Sequence, residues 1–207
     1  MSDNGTNTTV VYCVFSIHIE KWRLKYVFGG NEFSRLIPVE LSETNKKVKV
    51  EFKGRKPGKK DRTVLAAKIK HVLRFDEDLV DFYRLVGKEK DFAWMVKTNS
   101  GRLLRSPSVF EDLVKTICTT NCSWAMTKIM VSNLVEKLGE TSRNGRKAFP
   151  NVESLASVDE KFCRKEIKAG YRAPYFPELA KRVLSGEIAP ESWLTSGLST
   201  ADLKKEM

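Results

Sequence analysis

Residues 101–124 read GRLLRSPSVFEDLVKTICTTNCSW: a charged approach, a buried helix and a polar break. Phe110, Leu113, Val114, Ile117 and Cys118 recur at i, i+3, i+4, i+7 and i+8, which puts one apolar stripe on a helix. Ser106 is placed to cap that helix, and Pro107 suits its first position, where no backbone donor is needed. Glu111 and Asp112 fall near the positive end of the helix dipole. Asn121 continues the stripe where the helix should stop, and a second apolar helix follows soon after. The break carries Thr119, Thr120, Asn121, Cys122 and Ser123, so a polar side chain can leave the core there and reach a partner. On these residues alone, Asn121 either ends a helix, as Asn often does, or makes that contact.

Helical spacing dominates around this stretch. Upstream, Leu65, Ile69, Val72 and Leu73 form one stripe, with Asp61 as its expected cap. Residues 75–85, with DEDL inside, suggest a turn into a second short helix, and the acids Asp76, Glu77 and Asp78 suit a helix start. A short apolar segment follows at 92–97. Downstream, Met130, Val131, Leu134, Val135 and Leu138 give a buried face ending near Gly139, and 141–147 is a polar loop. Short helices are expected over 152–158 and 160–167, with a break at 169–175, AGYRAPY. Phe176, Leu179, Ala180, Val183 and Leu184 then mark an amphipathic helix ending at Gly186. Ser199 and Asp202 make a capping pattern before Leu203 and Met207.

Before residue 53 the period is two. Val11, Cys13, Phe15, Ile17 and Ile19 share one face, and Trp22, Leu24, Tyr26 and Phe28 alternate with mostly basic residues. A turn at 29–31, a strand over 32–39 and the alternation of Val48, Val50 and Phe52 complete a set of half-buried antiparallel strands. His18 lies on the opposite face of the first strand, and nothing nearby completes a metal site. The fold class is therefore α+β, a small N-terminal antiparallel sheet followed by an all-helical region. The expected organisation is a disordered start at 1–8, a sheet domain at 9–60 with a basic loop at 53–62, and a helical domain at 61–207.

Composition excludes several classes. The chain of 207 residues is 41% hydrophobic, as a globular protein is, and long enough to bury a core without staples. Cys13, Cys118, Cys122 and Cys163 are scattered without zinc or iron–sulfur spacing, so reduced thiols are expected, with neither metal nor cofactor. No run spans a bilayer, so no membrane partner is expected. No signal core precedes the sequons at Asn4, Asn7 and Asn121, which points to an intracellular protein. Net charge of +11 favours a polyanionic partner. The stretch 53–62, KGRKPGKKDR, carries Lys53, Lys56, Lys59 and Lys60 and reads as a flexible basic loop suited to phosphates.

The region from His71 to Glu140 resembles the helix–hairpin–helix DNA glycosylases, the superfamily of 8-oxoguanine glycosylase and 3-methyladenine glycosylase II. The blocks that carry the resemblance, in order, are FDEDLVDFY at 75–83, RLLRSP at 102–107, FEDLVKTICTTNCSW at 110–124, the FP pair at 149–150 and GYRAPY at 170–175. Such enzymes flip a damaged base out of double-stranded DNA, and side chains must fill the hole. The resemblance puts Asn121 at the gap-filling asparagine, Tyr171 at the wedge aromatic, and Arg172 where an arginine bonds the estranged base. It also implies DNA contacts for Arg102 and Arg105. An aromatic plane replaces lost stacking, and arginine offers paired donors to a base acceptor. The sequence departs from 8-oxoguanine members at Cys122, where a second asparagine stands, and at Met126, where an arginine stands.

The resemblance implies a glycine-rich hairpin and a catalytic aspartate beyond Met207, because residues 198–207 match only the approach to that hairpin. No catalytic residue is therefore expected in this chain, and its fold is expected to be an incomplete glycosylase fold. Apolar surface should be exposed on the C-terminal side, open to a protein partner. The functions implied are base-excision repair by hydrolysis of an N-glycosidic bond, in the nucleus if the cell is eukaryotic and otherwise in the cytoplasm. The alternative is a non-catalytic DNA-binding or interaction module. An RNA-binding sheet fits less well, since the first strands lack an aromatic RNP pattern.

Overall fold

The computed structural model describes residues 23–29, 33, 36–44, 47–53 and 56–206. The expected strand around 10–19, with His18 and Cys13, lies outside the described residues, as do the 1–8 segment, most of the 29–31 turn, Met207 and two positions of the basic stretch.

Three strands, β1 (Arg23–Phe28), β2 (Ile37–Thr44) and β3 (Lys47–Phe52), form an antiparallel sheet in the order β1-β2-β3. Its register aligns Tyr26 with Val39 and Phe52, Phe28 with Ile37, and Leu41 with Val50. Period-two alternation thereby gathers these apolar side chains on one face. The opposite face aligns Lys25, Glu40 and Glu51. β2 starts at Ile37 rather than at residue 32. Pro38, its second residue, has no N–H to give the ladder, and prolines inside sheets are held to such strand starts.

Helix α1 (Lys59–Leu73) begins within the basic stretch, which is therefore not wholly a loop. Gly58 holds the N-cap position without a side-chain cap, and Asp61 is buried in the first turn instead of capping. Leu65, Ile69, Val72 and Leu73 pack on Phe28, Ile37, Val39 and Leu41. The expected boundary at 60/61 thus falls in the first turn of α1, and α1 shares the sheet's core.

Two short helices follow, α2 (Val80–Val86) and α3 (Ala93–Lys97), neither with a fully buried residue. Of the three acids before α2, Asp78 accepts from the Val80 N–H at 2.8 Å, as a helix start requires. Glu77 serves a different purpose: it is bonded by Arg74 and Arg105.

The second core comes from α4 (Val109–Thr119), α5 (Trp124–Leu138), α6 (Val152–Ala156), α7 (Glu160–Lys165) and α8 (Tyr175–Leu184). Val114, Cys118, Met130, Leu134, Leu155, Cys163, Ile167 and Phe176 meet there, all shielded from solvent. Ser108, not Ser106, caps α4, its hydroxyl accepting from the Glu111 N–H at 3.2 Å. Ser106 is otherwise engaged: its N–H donates to Asp112 at 3.1 Å, and its hydroxyl meets Lys115 Nζ at 3.0 Å. Pro107 accordingly lies before the helix. Glu111 is buried, taking bonds from the Tyr26 hydroxyl and from Lys115 Nζ at 2.5 Å. Gly139 ends α5 where an added Cβ would lie 2.2 Å from the Ala148 carbonyl oxygen.

Polar links join the two cores. The Arg105 N–H donates to the Val72 carbonyl at 3.0 Å, Lys68 Nζ to the Pro107 carbonyl at 3.3 Å, and Asn144 Nδ2 to the Lys53 carbonyl at 3.1 Å. A 3₁₀ turn (Pro190–Leu194) returns to α4, where Glu191 accepts from the Phe110 N–H at 3.1 Å. The last helix, α9 (Thr200–Glu206), buries nothing, and Ser199 accepts from its Asp202 N–H. Leu184, Leu194 and Leu198 are exposed, Leu184 against its place on the expected buried stripe. Among the described residues no helix is long and apolar enough to cross a membrane.

Candidate nucleic-acid interface

The break between α4 and α5 is built from its backbone outward. Helix α4 ends at Thr119, and Thr120 turns extended, with φ −63° and ψ 126°. Asn121 then adopts φ +43°, the left-handed region that asparagine tolerates better than most residues. Ser123 caps α5, its hydroxyl accepting from the Met126 N–H at 3.3 Å. Thr127 donates its hydroxyl to the Cys118 carbonyl at 3.1 Å, and the Cys122 thiol faces that same oxygen at 3.2 Å. These bonds satisfy the helix ends inward, so the exposed Asn121 side chain is left at the surface.

A second segment meets this turn. After α7 the chain takes positive φ at Lys168 and Gly170 and enters a 3₁₀ turn (Gly170–Arg172). Asn133 of α5 ties it down through the Ile167 carbonyl at 3.2 Å. Ala169 and Ala173 are buried, small enough to let the turn lie on the second core. Tyr171 projects outward, 52% exposed, whereas Arg172 is 6% exposed.

Both side chains converge on Thr120. Arg172 Nε donates to Thr120 Oγ1 at 3.0 Å. The Tyr171 hydroxyl lies 3.3 Å from the Thr120 carbonyl oxygen and 3.4 Å from Oγ1. The Arg172 guanidinium carbon sits 4.4 Å from the Tyr171 ring centroid, a cation–π contact. Arg172 Nη2 is buried, with no hydrogen-bond partner among the described residues. A buried cation without a carboxylate is costly, and its uncommitted donor is the kind of group a ligand satisfies. Burial pushes the Cys118 thiol up to about 12, with the positive charge of Arg172 acting against it. Burial likewise raises Cys163 to about 11. Both are inert thiols rather than nucleophiles.

The structure brings Asn121, Tyr171 and Arg172 together and places the other candidates elsewhere. Arg102 donates to the Arg74 carbonyl and, at 2.9 Å, to the Glu77 carbonyl, while Arg105 bonds the Glu77 carboxylate. Lys53 forms ion pairs with Glu40 at 3.2 Å and Glu51 at 3.0 Å, on the polar face of the sheet. Lys56, Lys59 and Lys60 are exposed at the start of α1. Thr120 was legible only as one polar residue in a helix break. Its partners lie 51 and 52 positions away, and no local pattern announces them. Among the described residues, no group of three or more His, Cys, Asp or Glu side chains could hold a metal ion.

No protein-family model matches the sequence, and no curated protein matches it. Solved structures do match. The structure of MBOgg1 in complex with a low-affinity DNA ligand is 19% identical, with a TM-score of 0.66 over 87% of this chain and 62% of that one. An 8-oxoguanine glycosylase/lyase from Clostridium acetobutylicum, in complex with double-stranded DNA containing cytosine opposite 8-oxoguanine, is 22% identical. Its TM-score is 0.63, over 87% of this chain and 62% of that one. The 3-methyladenine DNA glycosylase from Archaeoglobus fulgidus is 18% identical, with a TM-score of 0.61 over 77% of this chain and 55% of that one. The chain thus spans 55% to 62% of the length of these structures.

Proposed function

We propose that this chain, which has the fold of DNA glycosylases, engages double-stranded DNA carrying a damaged base through Asn121, Tyr171 and Arg172. The observation that carries the reading is the convergence of an exposed tyrosine and a buried, incompletely bonded arginine beside an exposed, left-handed asparagine. Extruding a base from a duplex leaves a gap and an unpaired partner, at a cost of roughly a few kcal/mol. Tyr171 supplies an apolar plane for the broken stack, Arg172 a donor for the estranged base, and Asn121 a polar side chain to fill the gap. Positive charge over the molecule, +11 in all, adds sequence-independent attraction to phosphates. This function places the protein with the genomic DNA of its cell.

In this reading, base-excision repair by N-glycosidic hydrolysis belongs to the whole protein of this fold. That step needs a charged group or nucleophile held against the flipped nucleotide. Four acids near helix starts are engaged within the chain. Glu111 is bonded by Tyr26 and Lys115, Asp112 accepts from Ser106, Asp78 from Val80, and Asp76 lies 3.8 Å from Lys70. Lys205 pairs with Asp202, and Lys204 is exposed. These engagements favour the second reading, a DNA-binding module without excision of its own.

Duplexes carrying alkyladenine, hypoxanthine, uracil or 8-oxoguanine separate the readings. The 207-residue protein should bind damaged duplexes better than undamaged ones, and Tyr171→Ala should remove the difference. Base release above background, abolished by changing one of the named acids or lysines, would place an active site among these residues. Equal binding to damaged and undamaged DNA would remove the proposed interface.

A further inference from the structure

One hydroxyl joins the two segments of the candidate interface, and its bonding capacity is fully used. The Thr120 hydroxyl donates to the Ile117 carbonyl at 2.8 Å, which fixes the direction of its lone pairs. Those lone pairs face Arg172 Nε at 3.0 Å and the Tyr171 hydroxyl at 3.4 Å. We propose that Thr120 is a positioning residue, which holds Arg172 and Tyr171 together at the break between α4 and α5 before DNA arrives. The inference rests on the reading of Asn121, Tyr171 and Arg172 as a DNA interface.

The chemistry of the acceptor supports this role. A carboxylate at position 120 would neutralise Arg172 and compete with DNA for its donors. A neutral hydroxyl instead holds the guanidinium through Nε alone and leaves Nη2 uncommitted. The Tyr171 ring, 4.4 Å from the guanidinium carbon, stabilises the charge from one side. Without the hydroxyl, Nε would also lack its partner, and a buried cation would gain reason to swing into solvent. Tyr171 is half exposed, and its hydroxyl meets only Thr120 among the described residues, so its ring direction depends on the same residue. Holding two long side chains in one geometry in the free protein removes an ordering cost from binding. Its loss corresponds to about a tenfold fall in affinity.

The experiment uses the full 207-residue chain and a duplex carrying a tetrahydrofuran abasic-site analogue opposite 2-aminopurine, compared with the same duplex undamaged. The readouts are the ratio of the two affinities and the 2-aminopurine fluorescence. Thr120→Val keeps the shape and the extended backbone. It should lower the ratio about tenfold. Thr120→Ser should restore the ratio. A ratio kept in Thr120→Val but lost in Tyr171→Ala overturns the positioning role and leaves the interface standing. A ratio kept in Tyr171→Ala and in Arg172→Ala overturns both. Should Thr120→Val not fold, Thr120→Ala decides, since it deletes the hydroxyl and keeps the backbone carbonyl that the Tyr171 hydroxyl also meets. A reduced ratio supports the proposal, and an unchanged one overturns it.

Discussion

Asn121 carries two burdens at once, a backbone turn and an exposed side chain, and substitutions separate them. Its φ of +43° disfavours residues with an ordinary Cβ, by roughly 1–2 kcal/mol. Asn121→Ala therefore loses stability for a reason unrelated to DNA. Asn121→Gly relieves the strain and deletes the side chain, so it is the cleaner probe. The expected result is a lower melting temperature for the alanine variant than for the glycine variant, with the same loss of damaged-duplex binding in both. Equal melting temperatures would show that the left-handed turn contributes no strain. Full damaged-duplex binding by the glycine variant would remove the side chain from the interface. Tyr171→Ala deletes a half-exposed ring and should move the melt little, because its main contacts are Thr120 and the Arg172 guanidinium.

At the scale of elements, the joint between α1 and α4 is a cationic knot around one carboxylate. Arg74 and Arg105 bond the Glu77 side chain, and Arg102 bonds the Glu77 carbonyl. The Arg74 hydrogen bond holds the Glu77 carboxyl below its usual value of 4.5, against a partial opposing effect of burial. The charge of Arg105 pulls in the same direction as Arg74. A carboxyl depressed on folding contributes stability that is present above the unfolded value and lost as pH falls through the folded one. The protein should therefore soften as pH drops below about 4.5. Glu77→Gln should lower the melting temperature at pH 7 and flatten its dependence on pH in that acid window. Identical pH profiles for the two proteins would mean that the knot contributes nothing to folding. Partial exposure of these side chains, 26% to 33%, keeps the expected effect modest.

For the whole molecule, charge and topology answer different questions. Net charge of +11 implies binding that weakens with salt, and the ion pairs show which lysines are already engaged within the chain. Lys53 is occupied by Glu40 and Glu51, which together hold its ammonium pKa above the usual 10.5. Lys56, Lys59 and Lys60 are exposed. If those three contact phosphates, their joint change to Ala should reduce the slope of log K against log salt by roughly 0.9 per contact. Lys53→Ala should leave the slope unchanged. A slope unmoved by the triple change would take the start of α1 out of the interface.

The amino-acid sequence by itself determined the elements and their class. Period-two alternation at 23–28 and 47–52, and the helical stripes of α1, α4, α5 and α8, follow from side chains that must share one buried face. The polar break at 119–123 was also visible, because four of its five residues are Thr, Asn or Ser. Only the tertiary structure decided that Ser106 is a buried partner of Lys115 and Asp112 rather than a cap, and that α1 belongs to the core of the sheet. It alone separated Arg172, sunk and short of one partner, from Arg102 and Arg105, which staple the chain to Glu77 and Arg74. The physical reason is range. Periodicity and capping act over one or two turns, whereas a hydrogen bond between residues 120 and 172 exists only once α4, α5 and α7 have packed.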